Sequence, residues 1–175
     1  MNRKDIFNKA VTLANSEKGL SLRDYAKEIE KQLENAEEGF TVNPDGPKAL
    51  NPMVAVFNGV IAAGIAAMRE YGAYSRAQGL LGKDDASAFK VLDEERNHQD
   101  GSVTPGFAAQ MGPGATPRPP VDDGSYTLPD EFIMMHYYLD KEIDGALDAG
   151  DDVKASNGIR KIAALAMRGS EHPRL

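Results

Sequence analysis

Three groups of side chains have the types and spacing that chemistry would need. Glu34 and Glu37 stand three residues apart, so a helix presents both carboxylates on one face, and Asp93 and Glu94 add two more on a later segment. Magnesium takes several carboxylates together with phosphate oxygens, so such a set would suit hydrolysis of a phosphorylated small molecule. Glu95 and His98 repeat the three-residue spacing with a carboxylate and an imidazole, both metal ligands. From Asp140 to Asp151, DKEIDGALDAGD, oxygen donors recur around Gly145 in a pattern suited to wrapping calcium.

Each group also has an ordinary structural reading. The Asp140–Asp151 stretch resembles an EF-hand loop, with donors at loop positions 1, 3, 5, 9 and 12, glycine at 6 and Leu147 at 8. Position 12, though, is the short Asp151, and position 4 is the bulky Ile143. Leu139, Ile143 and Leu147 carry the four-residue spacing of an uninterrupted helix, so the stretch reads as an acidic helix face. Di-iron four-helix bundles use two Glu-x-x-His motifs with further glutamates. Here Ile133 stands three residues before His136, and His172 falls in a tail after Gly169. Glu95–His98 therefore reads as an exposed polar turn at a helix end. All-helical nucleotide pyrophosphohydrolases hold magnesium with Glu-x-x-Glu and Glu-x-x-Asp helices. Glu34 and Glu37 have the first spacing, but Glu30 and Glu34 alternate with Lys27 and Lys31 as on a solvated face, and no Glu-x-x-Asp accompanies Asp93. No phosphate-binding glycine loop and no G-x-S-x-G elbow occurs. No cofactor is called for, and Glu34, Glu37, Asp93 and Glu94 remain as an alternative metal set.

The elements that would position these residues are helical. Ile6, Ala10, Leu13 and Ala14 predict a first helix over 4–14, ended by Asn15, Ser16 and Gly19. Ser21 is placed to cap a second, in which Leu22, Ala26, Ile29, Leu33 and Ala36 form one stripe before Gly39. A turn-rich linker with Pro44, Pro47 and Pro52 follows. Met53–Met68 is then apolar except for Asn58, and Ala55, Gly59, Ala63 and Ala67 form a ridge of small residues on a long central helix reaching towards Gln78. Sixteen residues of helix span roughly 24 Å, short of the ~30 Å hydrocarbon core, so no stable membrane span is expected. Asp84 or Asp85 can cap a helix carrying Ala88, Phe89, Val91 and Leu92. Residues 101–129 hold six prolines and five glycines and show no periodicity, which predicts a long loop or docking arm with Phe107, Met111 and Tyr126 as its anchors. A helical hairpin closes the pattern, with Phe132, Met135, Leu139, Ile143 and Leu147 on the outgoing arm. Gly150 makes the turn, and Ile159, Ile162, Ala163 and Ala166 line the return arm. The outgoing arm is acidic and the return arm basic, which predicts neutralisation between the two.

With 175 residues, 41% of them hydrophobic, the chain can bury a real core. It has no cysteine, so disulfides, thiolate metal sites and a cysteine nucleophile are excluded. A net charge of −7 and the absence of tryptophan argue against direct binding of nucleic acid. The N-terminus lacks the apolar core of a secretory signal, which suits a cytoplasmic protein or one inside an intracellularly assembled particle.

The resulting expectation is an all-α fold of about five or six helices around a long central apolar helix. It comprises a helical body over 1–100, a Pro/Gly-rich connection over 101–129, a hairpin over 130–169 and a tail over 170–175. The function expected is non-enzymatic interaction or assembly, as in a small subunit of a virion or other multi-protein particle, or an acidic inhibitor of a partner protein. Ala55, Gly59, Ala63, Ala67, Phe107, Met111, Tyr126, Asp140, Asp144 and Asp148 are the contact candidates, towards a protein partner or a second copy. The alternative is a magnesium-dependent hydrolase of the pyrophosphohydrolase kind.

Overall fold

A computed structural model describes residues 2–16, 19–42, 47–71, 84–102 and 134–171, with side chains over 2–16, 19–35, 55–71, 84–99 and 134–171. Among them the fold is all-α, with six helices and no strand. Helix α1 is Arg3–Ala14, α2 Leu22–Val42, α3 Pro47–Tyr71 and α4 Asp85–Ser102. Helix α5 runs over 134–148 and is wound as a π-helix at Leu139–Asp144, while α6 is Asp152–Glu171.

The helix starts are set by short polar side chains. Asn2 Oδ1 accepts from the Asp5 amide at 2.9 Å, and Asp84 Oδ1 accepts from the Ser87 amide at 2.7 Å. Ser21 and Asp24 form a reciprocal pair: Ser21 Oγ accepts the Asp24 amide at 3.1 Å and donates to Asp24 Oδ2 at 2.7 Å. Asp151 caps α6 by accepting from the Lys154 amide at 3.0 Å. The α5–α6 turn is a Schellman closure. The Asp151 amide reaches back to the Ala146 carbonyl at 2.8 Å, which places Gly150 at φ +70°, where a side chain would be strained.

Two boundaries differ from expectation. α2 continues through Gly39 to Val42, and α3 begins at Pro47 instead of Pro52, so the turn-rich linker shortens to 43–46. Pro47 at the first helical position lacks only an N–H that no helix would use. Of the extension of α3 expected towards Gln78, residues 72–78 lie outside the described residues, as do the 103–129 part of the Pro/Gly-rich connection and the 172–175 part of the tail.

The core is built on two antiparallel helices. In α3 every residue from Val60 to Met68 is buried, and Phe57 is sealed completely. It packs on α1, α2 and, most extensively, α6. α6 is itself enclosed on nearly all sides, with Ala155, Ser156, Gly158, Ile159 and 162–170 buried. Its two buried hydroxyls cost little, since Ser156 and Ser170 donate to carbonyls of their own helix, Val153 and Ala166.

The α3–α6 contact depends on missing methyl groups. A Cβ at Gly64 would run into the Cβ of Ala163, and one at Gly169 would meet the Phe57 ring at 2.7 Å. Nearer the start of α6, Gly158 receives Ile143 of α5, whose Cγ1 would stand 2.5 Å from an added Cβ. The backbones therefore come close enough for dense packing without large side chains.

Candidate functional site

Three surfaces contain the residues able to do chemistry or make contacts. The first is the small-residue ridge of α3. Ala63 and Ala67 are buried within the chain, Ala55 is exposed, and Gly59 is half-buried against the Gln32 side chain of α2. The closest helix approach uses Gly64, one position along from Ala63.

The second is the outer face of α5. Asp140, Asp144 and Asp148 are all exposed there, and Asp151 and Asp152 continue the acidic surface past the turn. Of the expected neutralisation between α5 and α6, the described residues show Lys161 Nζ paired with Glu142 at 2.8 Å, the ammonium also lying 5.0 Å from the Tyr138 ring centroid. Two other basic residues of α6 turn elsewhere: Arg160 pairs with Glu95 of α4, and Lys154 is exposed. Asp148 meets Arg23 of α2 at 2.9 Å, an exposed pair of little energetic weight. The calcium-loop geometry is replaced by helix, as Leu139, Ile143 and Leu147 foretell.

The third surface is a buried polar seam where α4 crosses α6 and α1. Glu95 accepts from Arg160 on one carboxylate oxygen and from Gln99 Nε2 at 3.3 Å on the other. Gln99 Nε2 also donates to the Lys161 carbonyl at 3.1 Å. Arg96 Nε donates to Glu171 at 3.0 Å, and Arg3 of α1 donates to Glu171 at 2.7 Å, to Asp93 at 2.9 Å and to Asn97 at 2.7 Å. Three guanidinium groups thus face three carboxylates. Burial alone would lower the affinity of Arg3 for its proton, but the bonds to Asp93 and Glu171 outweigh it and raise the pKa.

This seam corrects the expectation of an exposed polar turn. Glu95 is only 6% exposed, while His98, three residues on, faces solvent. The hydrolase set is not assembled among the described side chains. Asp93 is engaged by Arg3, Glu94 and Glu34 are exposed on different helices, and α2 makes its main contacts on α3, α6 and α5. The side chain of Glu37 lies outside the described residues, as do the arm residues Phe107, Met111 and Tyr126. Among the described residues no group of three or more His, Asp or Glu side chains is placed to hold a metal ion. Nor is any helix among them long and apolar enough to cross a membrane.

A fourth polar point fixes the α1–α2 turn. The Glu70 carboxylate at the end of α3 accepts from the Gly19 amide and from the buried Tyr25 hydroxyl. Burial first, and that hydrogen bond second, push the Tyr25 pKa well above the ordinary phenol value. Tyr71 donates to the Leu20 carbonyl at 2.8 Å beside it.

No protein-family model, curated protein or solved structure matches the chain.

Sequence reasoning missed the polar seam. One signal was present: Asp93–Gln99, DEERNHQ, contains no apolar residue at all, yet sits inside a helix that must attach to something. A helical stretch of that kind is either fully solvated or bound by ion pairs, and the basic residues of α6 were the available partners.

Proposed function

We propose that this chain is a non-enzymatic helical interaction protein that recruits a protein partner through the acidic outer face of α5. The observation that carries this reading is the division of its carboxylates. Asp93, Glu95, Glu142 and Glu171 are tied inward to arginine and lysine, while Asp140 and Asp144 stand exposed in helical register with Asp148. Like charges repel across a symmetric self-contact, so this face fits a basic surface on a different protein better than a second copy. A net charge of −7 would speed such an encounter and make it salt-sensitive. A subunit of a multi-protein particle and an acidic inhibitor both use a surface of this kind.

The test compares the wild-type chain with a triple variant, Asp140→Lys, Asp144→Lys and Asp148→Lys. All three positions are exposed, so the melting temperature should hold, which keeps folding separate from binding. Affinity capture from the native lysate with mass spectrometry, and light-scattering mass of the purified chain, are the readouts. A partner retained by wild type and lost by the variant at moderate salt is expected. A monomer that retains nothing at any salt, and that hydrolyses nucleoside triphosphates with magnesium in a Glu34-dependent way, would replace this reading with the enzyme.

A further inference from the structure

We propose that the second half of α4, residues 93–99, is a polar latch that opens from α6 as a unit while the α3–α6 core stays closed. The two halves of α4 are attached by different physics. The first half buries Ala88, Val91 and Leu92, and Phe89 packs edge-on against Phe7 at 5.2 Å between centroids. From Asp93 to Gln99 no apolar side chain exists, and polar bonds from Arg3, Arg160, Glu171 and the Lys161 carbonyl hold the segment. Burying ion pairs takes both charges out of water, so their attraction is largely spent on desolvation and the closed state gains little net stability. Two buried atoms of this cluster, Gln99 Oε1 and Arg160 Nε, make no hydrogen bond, which lowers the gain further. Opening returns Glu95, Arg96 and Gln99 to water without exposing any apolar side chain of the segment. It also uncovers Arg160 and the end of α6 at Glu171, so the latch controls access to charged groups that are otherwise paired with one another. This inference is independent of the acidic face on α5.

Native-state hydrogen exchange on the full chain across sub-denaturing urea tests it. The amides of 93–99 should exchange at least about 100-fold faster than those of 60–68 and 159–167. Their exchange should also depend less on urea than that of the core, because the opening exposes less surface than global unfolding does. Uniform protection across 93–99 is expected of a unit; a graded rise towards 102 would mean ordinary end fraying and would overturn the proposal. So would exchange at the core rate. A paired variant, Glu95→Leu with Arg160→Met, supplies the second reading. It removes both desolvation costs, so it should slow exchange at 93–99 by about tenfold while leaving 60–68 unchanged. No slowing in a folded variant would mean that the ion pairs do not govern opening.

Discussion

Helix α6 presents two faces that are bound in opposite ways. Towards α3 it offers Ala163 and Gly169, and the contact works because atoms are absent: Gly64 leaves room for Ala163, and Gly169 for the Phe57 ring. Towards α4 it offers Arg160, the Lys161 carbonyl and Glu171, and the contact works because charges are matched. The apolar contact is gained mostly from water release and is intolerant of an extra methyl. The polar contact is specific in partner but costs desolvation on both sides. One helix therefore carries both a close-packed apolar joint and a polar one.

The largest effect should come from emptying the apolar joint. Phe57→Ala removes a ring that is fully buried against Gly169, and should cost about 4 kcal/mol in urea unfolding. A cost below about 1 kcal/mol would mean that α3 and α6 can collapse into the space, against a rigid joint.

A smaller and sharper test adds a single methyl. Gly64→Ala gains helix propensity but drives a Cβ into Ala163, so a net loss of about 2 kcal/mol is expected. Ala163→Gly in the same chain should recover most of the packing loss. If the double variant is no more stable than Gly64→Ala alone, the approach of the two backbones is not what limits this position.

The smallest effect concerns acid and separates the starts of α2 and α4 from the core. Asp84 is held below the ordinary carboxylate range chiefly by the Ser87 amide, and Asp24 chiefly by the Ser21 hydroxyl and then its amide. With folded pKa values depressed, the caps contribute fully above the unfolded value, near pH 4, and that contribution disappears as pH falls through the folded values. Amide exchange at 85–88 and 22–25 should therefore accelerate only below about pH 4, ahead of residues 60–68. Unchanged exchange at the caps down to pH 3 would count against the capping role.

How much of this was legible follows from what a local pattern can encode. The burial of α3 is written in its own composition, from Val56 to Met68, and the turn at Gly150 with its cap Asp151 is written in residues a few positions apart. The enclosure of α6 is not, because alanine, glycine and serine dilute the apolar signal and Arg160, Lys161 and Arg168 interrupt it. Small residues mark burial only when the partner backbone is known to come close. The exposure of Asp140 and Asp144 agreed with a helix reading, but the pairing of Glu95 with Arg160 spans 65 positions, and the apolar-free run 93–99 does not name its partner. Outward acids can be read from periodicity; inward acids need the tertiary fold.

The central place of α6 has a consequence for how the chain acquires its structure. Every other described helix precedes it, and the face of α3 that packs on α6 is covered only after α6 has been synthesised. Arg3 and Glu171, which join the first helix to this one, lie 168 positions apart. Contacts so distant along the chain carry a large loop-closure entropy and slow the rate-limiting step of folding. During translation, helices α1 to α3 can pack on one another, but the part of the Val56–Met68 surface that α6 covers stays exposed until that helix emerges. The α3–α6 joint is thereby a late contact, and folding yield should depend on how well that face of α3 is shielded in the interval.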